Sequence, residues 1–314
     1  MKILVTGGAG FIGSHVVDKL MIDGHDVVVL DDLSSGNMSN IEHHLGESRF
    51  RFVEGDIRQA LTVEKVIEGV DAVIHEAAIV SVPLSIENPV LTNEVNVKGT
   101  LNLLEAGLKA EIKRFVYVSS CAVYGDVAKL SIDEDAPVRP LSPYASSKLA
   151  AEEHCIAFFE NHGLETVRLR YFNVYGPRQA ASEYAGVMVK FLERIKRDQP
   201  PVIFGDGEQT RDFVYVSDVV EATLLALNRE GVAGNVFNIG TGEVTTINKL
   251  CKIFLELARK KHLKPIYTNA KPGEVRHSQA DITRATKILG YRPKVPLTIG
   301  VGEFINWAKI HQSL

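Results

Sequence analysis

Lys2-Ile3-Leu4-Val5-Thr6-Gly7-Gly8-Ala9-Gly10-Phe11-Ile12-Gly13 decides the fold. Lys2–Thr6 is a short apolar run of strand type, and Phe11–Asp23 carries a helical pattern. Between them, glycines at 7, 10 and 13 follow the spacing G-x-x-G-x-x-G. Gly7 permits a tight turn, Gly10 lets the backbone approach a pyrophosphate, and Gly13 lets helix and strand pack closely. The first amides of the helix then face an anion. A glycine motif alone is weak, but placed between a strand and a helix it reads as a dinucleotide site.

Working outward, apolar runs and helical patterns alternate. Asp26–Leu30, Arg51–Glu54, Asp71–His75, Arg114–Ser119 and Glu165–Tyr171 read as strands. Leu61–Glu68, Asn93–Gly107 and Ser142–His162 read as helices. Continuous Val/Ile/Leu runs indicate strands covered on both faces. The alternation predicts an α/β fold, a Rossmann-like doubly wound parallel sheet. Residues 1–173 are expected to form this cofactor-binding domain. Residues 174–314 are expected to form a smaller, mixed α/β C-terminal substrate domain, with 213–240 returning to the first. Gly186–Lys196, Asp218–Leu227 and Ile247–Lys261 look helical, Val236–Ile239 is a further apolar run, and Pro265–Pro296 is irregular.

Asp31 closes the second strand, where a carboxylate accepts hydrogen bonds from a ribose 2′-hydroxyl. With Asp32 it would repel a 2′-phosphate, so the expected cofactor is NAD rather than NADP. Asp56 follows the third strand and is placed either for the adenine edge or as a turn aspartate. Further on, Ser142 is a good N-cap and Pro143 suits a first helical position. Tyr144 and Lys148 then lie one turn apart on one face. A phenol is a poor base near neutrality, and an adjacent ammonium together with a cationic nicotinamide would favour its phenolate. Ser120, at the end of the Arg114–Ser119 strand, reaches the same substrate oxygen.

Composition sets the outer bounds. The chain has 314 residues, 45% hydrophobic and 24% charged, the proportions of a globular protein. Thirty-five Lys and Arg stand against 39 Asp and Glu, a net charge of −4 that excludes a general nucleic-acid binder. Three scattered cysteines, Cys121, Cys155 and Cys251, exclude a disulfide framework and a multi-cysteine zinc site, so no metal is expected. No apolar run is long enough for a membrane span. The opening strand leaves no room for a signal peptide, so the expected location is the cytoplasm.

Taken together these motifs resemble the extended short-chain dehydrogenase/reductase family, and within it the nucleotide-sugar 4-epimerases acting on UDP-glucose or UDP-N-acetylglucosamine. The resemblance runs over essentially the whole chain. It includes His75-Glu76-Ala77-Ala78, Ser81-Val82-Pro83 with Asn88-Pro89, and Asn96-Val97-Lys98-Gly99-Thr100. It continues through Leu169–Arg178, Gly205-Asp206-Gly207 with Arg211–Asp218, and Gly273–Asp281. The resemblance implies that Ser120, Tyr144 and Lys148 are the catalytic triad. It implies a cofactor site of Gly7, Gly10, Phe11, Ile12, Gly13, Asp31, Asp32, Ser35, Gly36, Asp56, Ile57, Ala77, Ala78, Ile79, Asn96 and Phe172, shared with Tyr144 and Lys148. For the UDP-sugar it implies Ser81, Ser120, Tyr144, Asn173, Val187, Phe204, Arg211, Arg276 and Ser278. Phe204 would border the uracil, and Arg211 and Arg276 would hold the diphosphate, as suits a bidentate cation.

The activity so implied is interconversion at C4 through a 4-keto sugar, with Tyr144 as base. A small Ser278, where relatives carry a bulky aromatic, leaves space for an N-acetyl group. A 4,6-dehydratase needs an Asp-Glu pair after the triad serine, and here those positions are Cys121 and Ala122. A UDP-glucuronate epimerase or decarboxylase stays open, as does a non-catalytic dinucleotide-binding regulator. Family relatives dimerise through two long helices, here Asn93–Gly107 and Ser142–His162. Where many relatives carry arginine before a Gly-Asp pair, this chain has Lys271 and Glu274.

Overall fold

The computed structural model describes residues 1–127, 131–179, 186–270 and 275–311; Lys271 and Glu274 lie outside these. In chain order the first half contains β1 (Lys2–Thr6), α1 (Phe11–Ile22), β2 (Asp26–Asp31), β3 (Phe50–Glu54), α2 (Ala60–Ile67) and β4 (Ala72–His75). It continues with α3 (Val82–Glu87), α4 (Pro89–Asn93), a π-turn (Glu94–Lys98), α5 (Gly99–Lys109), β5 (Arg114–Ser120), α6 (Pro143–His162) and β6 (Thr166–Tyr171). The second half contains β7 (Asn173–Tyr175), α7 (Val187–Lys196), β8 (Val202–Phe204), β9 (Thr210–Arg211), β10 (Phe213–Tyr215) and α8 (Val216–Asn228). It ends with β11 (Val236–Ile239), β12 (Thr245–Thr246), α9 (Ile247–Leu257), β13 (Ile266–Thr268) and α10 (Leu297–Ile310).

Seven strands form one parallel sheet in the order β11-β6-β5-β4-β1-β2-β3. The order reverses between β1 and β4, the switch point where doubly wound sheets bind ligands. Side-chain alternation explains why the strands read as unbroken apolar runs. Ile3 and Val5 enter one core beneath α1 and α8, whereas Leu4 enters the other beneath α2 and α5. Val27 and Val29 against Val28 and Leu30, and Val116 and Val118 against Phe115 and Tyr117, divide the same way. Each such fully buried aliphatic contributes about 1.5–3 kcal/mol of transfer free energy.

The return of the chain to this sheet is confined to part of 213–240. The β11 strand pairs with β6 at its outer edge, and α8 lies against α1, β5 and β6. Phe213–Tyr215 instead pairs with β7 in a separate two-stranded parallel sheet. Two more small sheets, β12-β9 and β13-β8, build the ligand-side lobe. The β13 strand and a π-turn at Ala285–Leu289 interrupt the stretch expected to be irregular. The expected helix over Ile247–Lys261 stops at Leu257.

Candidate active site at the strand ends

At the β1–α1 turn, geometry enforces glycine. A Cβ on Gly7, at φ +71°, would stand 2.7 Å from the Ala77 amide nitrogen, and one on Gly13 would stand 2.2 Å from the Gly7 carbonyl oxygen. The start of α1 has Gly10 as N-cap and no side-chain cap. The first amides of α1 therefore have no intrahelical partner and form an anion cradle beside β4. Asp31 is buried at the end of β2; its Oδ2 accepts from the Ala9 amide and its Oδ1 from the Leu33 amide, each at 2.9 Å. Burial pushes its carboxyl upward, these two amides opposing. Gly36 is pressed against the same carboxylate, since a Cβ there would lie 2.9 Å from Asp31 Oδ1. These residues fit a dinucleotide: an amide cradle, a buried carboxylate at the second strand's end, and backbone that tolerates no side chain.

Neighbouring predicted residues divide. Asp32 and Ser35 are exposed, and Asp32 Oδ1 accepts from both the amide (3.0 Å) and the hydroxyl (2.6 Å) of Ser34. Asp56 is a turn aspartate in this structure. It accepts from the Arg58 amide at 2.8 Å and from the Arg58 guanidinium at 2.8 and 2.5 Å, which holds its carboxyl below the usual range. Ile57 beneath it is buried against Gly99.

Asn96 is fully engaged. From the π-turn its amide nitrogen donates to the Ile79 carbonyl (3.0 Å) and the Ser147 hydroxyl (2.9 Å), while its oxygen accepts from the Ile79 amide (2.8 Å). It thereby fastens the Ala77-Ala78-Ile79 segment after β4 to α6. Beside it, His75 links Thr6 Oγ1 (2.7 Å) to Thr100 Oγ1 (2.9 Å), and burial brings its imidazole down to about 3. Ser81, expected near substrate, uses its hydroxyl to cap α3, accepting from the Leu84 amide at 3.1 Å.

Ser120 and Tyr144 meet as expected. Ser142 caps α6 by accepting from the Ala145 amide at 3.2 Å, and Pro143 occupies the first turn, which sets the helix register. Tyr144 is buried beside Ser120 at the end of β5, and the Ser120 hydroxyl acts on its phenol. Burial pushes its phenol up to about 12, the Ser120 hydroxyl opposing. Lys148 is aimed elsewhere than expected: its Nζ donates to the Val118 carbonyl at 2.8 Å and lies 5.2 Å from the Tyr117 ring centroid. Burial brings this ammonium down to about 8, while the Glu76 and Glu152 carboxylates support it. Burial is the dominant influence on the Tyr144 phenol in this structure.

Behind Ser120, Tyr144 and Lys148 sits a polar network that sequence reasoning missed. Glu152 follows Lys148 by one turn of α6 and is hydrogen-bonded to Ser119, next to Ser120. It pairs with Arg170 of β6 at 2.7 Å, with side-chain exposures of 1% and 6%. Arg170 also donates to Tyr124 Oη at 2.9 Å and to the Glu134 carbonyl at 3.2 Å. Arginine on an apolar strand was the available signal. Glu76 is the other omission: burial raises its carboxyl to about 7, against the pull of Lys148 and a 3.4 Å hydrogen bond from Tyr171 Oη.

On the ligand side, Phe172 is buried and Asn173 donates from Nδ2 to the Asp212 carbonyl at 3.1 Å. Asp212, which sequence reasoning passed over, is fully buried. It accepts from Thr241, Gly242 and Ala280 amides at 2.8, 2.9 and 3.2 Å, pinning the loops around β9. Val187 opens α7 and Phe204 closes β8. Arg211 and Arg276 come together, because the Thr210 amide donates to the Arg276 carbonyl at 3.0 Å. Their side chains are engaged within the protein: Arg211 donates to the Thr210 carbonyl at 2.8 Å, and Arg276 forks onto Asp206 at 2.8 and 2.7 Å. Ser278 is buried and hydrogen-bonded to the Cys121 thiol, which burial raises to about 11. That thiol is a resting, not a nucleophilic, group.

Comparison with known proteins agrees with this arrangement. The model of the NAD dependent epimerase/dehydratase family matches residues 3–240. A putative UDP-glucose 4-epimerase of Methanocaldococcus jannaschii is 44% identical over 98% of each chain. Among solved structures, the UDP-glucose 4-epimerase of Thermotoga maritima with UDP-glucose superposes with a TM-score of 0.93 at 41% identity, covering 99% of each chain. A UDP-N-acetylglucosamine 4-epimerase from Methanobrevibacter ruminantium, in complex with UDP-N-acetylmuramic acid, gives 0.94 at 36% identity over 99% of each chain. Among the described residues no helix is long and apolar enough to cross a membrane. With an amide cradle, a buried Asp31 and the Ser120–Tyr144 pair set at the strand ends, the chain belongs to the NAD dependent epimerase/dehydratase family, whose cofactor is NAD.

Proposed function

We propose that the chain is a UDP-hexose 4-epimerase that works on UDP-GlcNAc and UDP-GalNAc and also on UDP-Glc and UDP-Gal. The observation that carries this reading is the buried Tyr144 phenol set beside Ser120 at the end of β5, one helical turn from the buried Lys148. NAD held by the α1 amides and Asp31 would supply the hydride acceptor, and its cationic ring beside Tyr144 would favour loss of the phenol proton to solvent. The Tyr144 phenolate would then accept the proton of a C4 hydroxyl that Ser120 orients. Lys148 keeps a positive charge beneath the site, backed by Glu76 and Glu152. Arg211 and Arg276 anchor the diphosphate, so that the sugar turns while the nucleotide stays held. Cys121 and Ala122 stand where a dehydratase would need an acid and a base, and a thiol raised to about 11 transfers no proton usefully.

The small side chain of Ser278 supports the wider substrate range, since it would leave room for an N-acetyl group. We infer a homodimer through Asn93–Gly107 and Ser142–His162; the exposed Ile86 and Val90, 63% and 72% accessible, lie beside that surface on α3 and α4, which pack against α6. Incubation with UDP-Gal without added NADH tests the activity, UDP-Glc being the expected product. Tyr144→Phe is expected to lower kcat by about 10²–10⁴-fold with the fold intact, and undiminished turnover refutes the reading. Ser278→Tyr is expected to depress turnover of N-acetylated sugars relative to plain ones, and an unchanged ratio sinks the steric argument.

A further inference from the structure

Away from the strand ends, two adjacent histidines and a carboxylate converge on one point. Asp18 projects from α1, while His43 and His44 form a short 3₁₀ turn, Glu42–His44, between β2 and β3. The Nε2 atoms of both histidines lie 2.9 Å from the same oxygen, Asp18 Oδ1. The three atoms fall within 4.8 Å of one another. Asp18 Oδ2 is taken separately by Arg178 at 2.7 Å, which fixes the carboxylate and leaves Oδ1 to the imidazoles. On the far side of His44, Nδ1 is 2.8 Å from Glu47 Oε1.

Three imidazole–carboxylate contacts meet here: His43 to Asp18, His44 to Asp18 and His44 to Glu47. A neutral imidazole whose Nδ1–H is held by a carboxylate presents its Nε2 lone pair on the opposite side. The arrangement of carboxylate, imidazole Nδ1–H and free Nε2 is the one that orients histidine ligands around metals. The spacing also suits a metal: tetrahedral ligands at about 2.0–2.1 Å from zinc stand about 3.3 Å apart, so each 2.9 Å contact opens by only a few tenths of an ångström. His43 has 48% of its side chain exposed, which provides the entry path and a solvent ligand.

We propose that Asp18, His43 and His44 form a site for a first-row divalent cation of the zinc class, with Glu47 as the partner that sets the His44 tautomer and water completing the shell. Imidazole and a single carboxylate are the donors such ions prefer, whereas magnesium and calcium take oxygen ligands. The bound ion clips the segment after β2, which borders the cofactor cradle, to α1. Through Arg178 it also ties α1 to the turn after β7, where His15 Nε2–H donates to the Pro177 carbonyl at 3.0 Å. The sequence carried no signature of it, because Asp18 and the histidines lie on separate elements and follow no metal-binding spacing.

The test uses the full chain without an affinity tag, loaded with NAD, and Zn²⁺ or Co²⁺ as probe. Competition against a chromophoric chelator should show one Zn²⁺ per chain, and Co²⁺ should give the visible absorption of a low-coordinate nitrogen–oxygen site. His43→Gln, at an exposed side chain, and the double His43→Ala/His44→Ala should abolish both signals. Glu47→Gln, which touches no metal, should weaken binding about 10–100-fold. A Cys121→Ser/Cys251→Ser chain should bind as the parent does. The proposal is overturned if the parent takes up no ion from excess Zn²⁺, or if binding survives in His43→Gln with circular dichroism unchanged.

Discussion

Removal of the Glu152 carboxylate is the most demanding test of the polar layer behind Ser120, Tyr144 and Lys148. In Glu152→Ala, the Nε and Nη2 donors of Arg170 lose their acceptors, keeping only the Tyr124 and Glu134 contacts made by Nη1. The Ser119 hydroxyl is orphaned as well. A guanidinium only 6% exposed then stands without a counter-charge. Breaking a buried pair from one side costs about 3–5 kcal/mol. At about 1.5 °C per kcal/mol for a chain of 314 residues, the midpoint should fall by about 5–8 °C. Glu152→Leu/Arg170→Met removes both charges and fills the space, and such replacements are often neutral or stabilising. It should therefore melt well above Glu152→Ala in parallel calorimetry and urea titrations. Because Glu152 also supports the Lys148 ammonium, the alkaline limb of kcat/KM should move to lower pH in both variants. A Glu152→Ala chain within about 1 kcal/mol of the parent, or a double variant less stable than it, refutes the reasoning.

His75 gives a pH prediction. Its folded imidazole lies at about 3, below the ordinary 6.5, so its contribution is complete above pH 6.5 and is lost as pH falls toward 3. The loss should not exceed about 5 kcal/mol, and urea midpoints of His75→Asn should vary less over that window than the parent's. Ile86→Glu/Val90→Glu should turn a dimer into a monomer by light scattering; a variant that stays dimeric locates the interface elsewhere.

Legibility followed range. The β1 turn, the five strands after it and the Ser142–Pro143 helix start are encoded in contiguous residues, and the structure reproduces each within a residue or two. What depends on distant partners was not readable. Phe213–Tyr215 looks like any apolar strand, and only its pairing with Asn173–Tyr175 keeps it out of the main sheet. The helix expected from Asn93 is α4, a π-turn and α5 in one line, because the wider turn lets Asn96 reach Ile79 and Ser147. The cofactor cradle was legible because three glycines mark it. The attachment of Arg276 to Asp206 was not, since charge at either position is compatible with open solvent.

That last pair shapes how an anion is received. Arg276 is already occupied by the Asp206 carboxylate in a two-pronged grip, and the same grip holds Asp206 well below its usual protonation range. Under the proposed function, an incoming diphosphate would displace Asp206 from Arg276 rather than meet an open guanidinium. A monocarboxylate would gain little from that exchange and a doubly charged diphosphate more, so the step would discriminate by valence, and added electrolyte should blunt it.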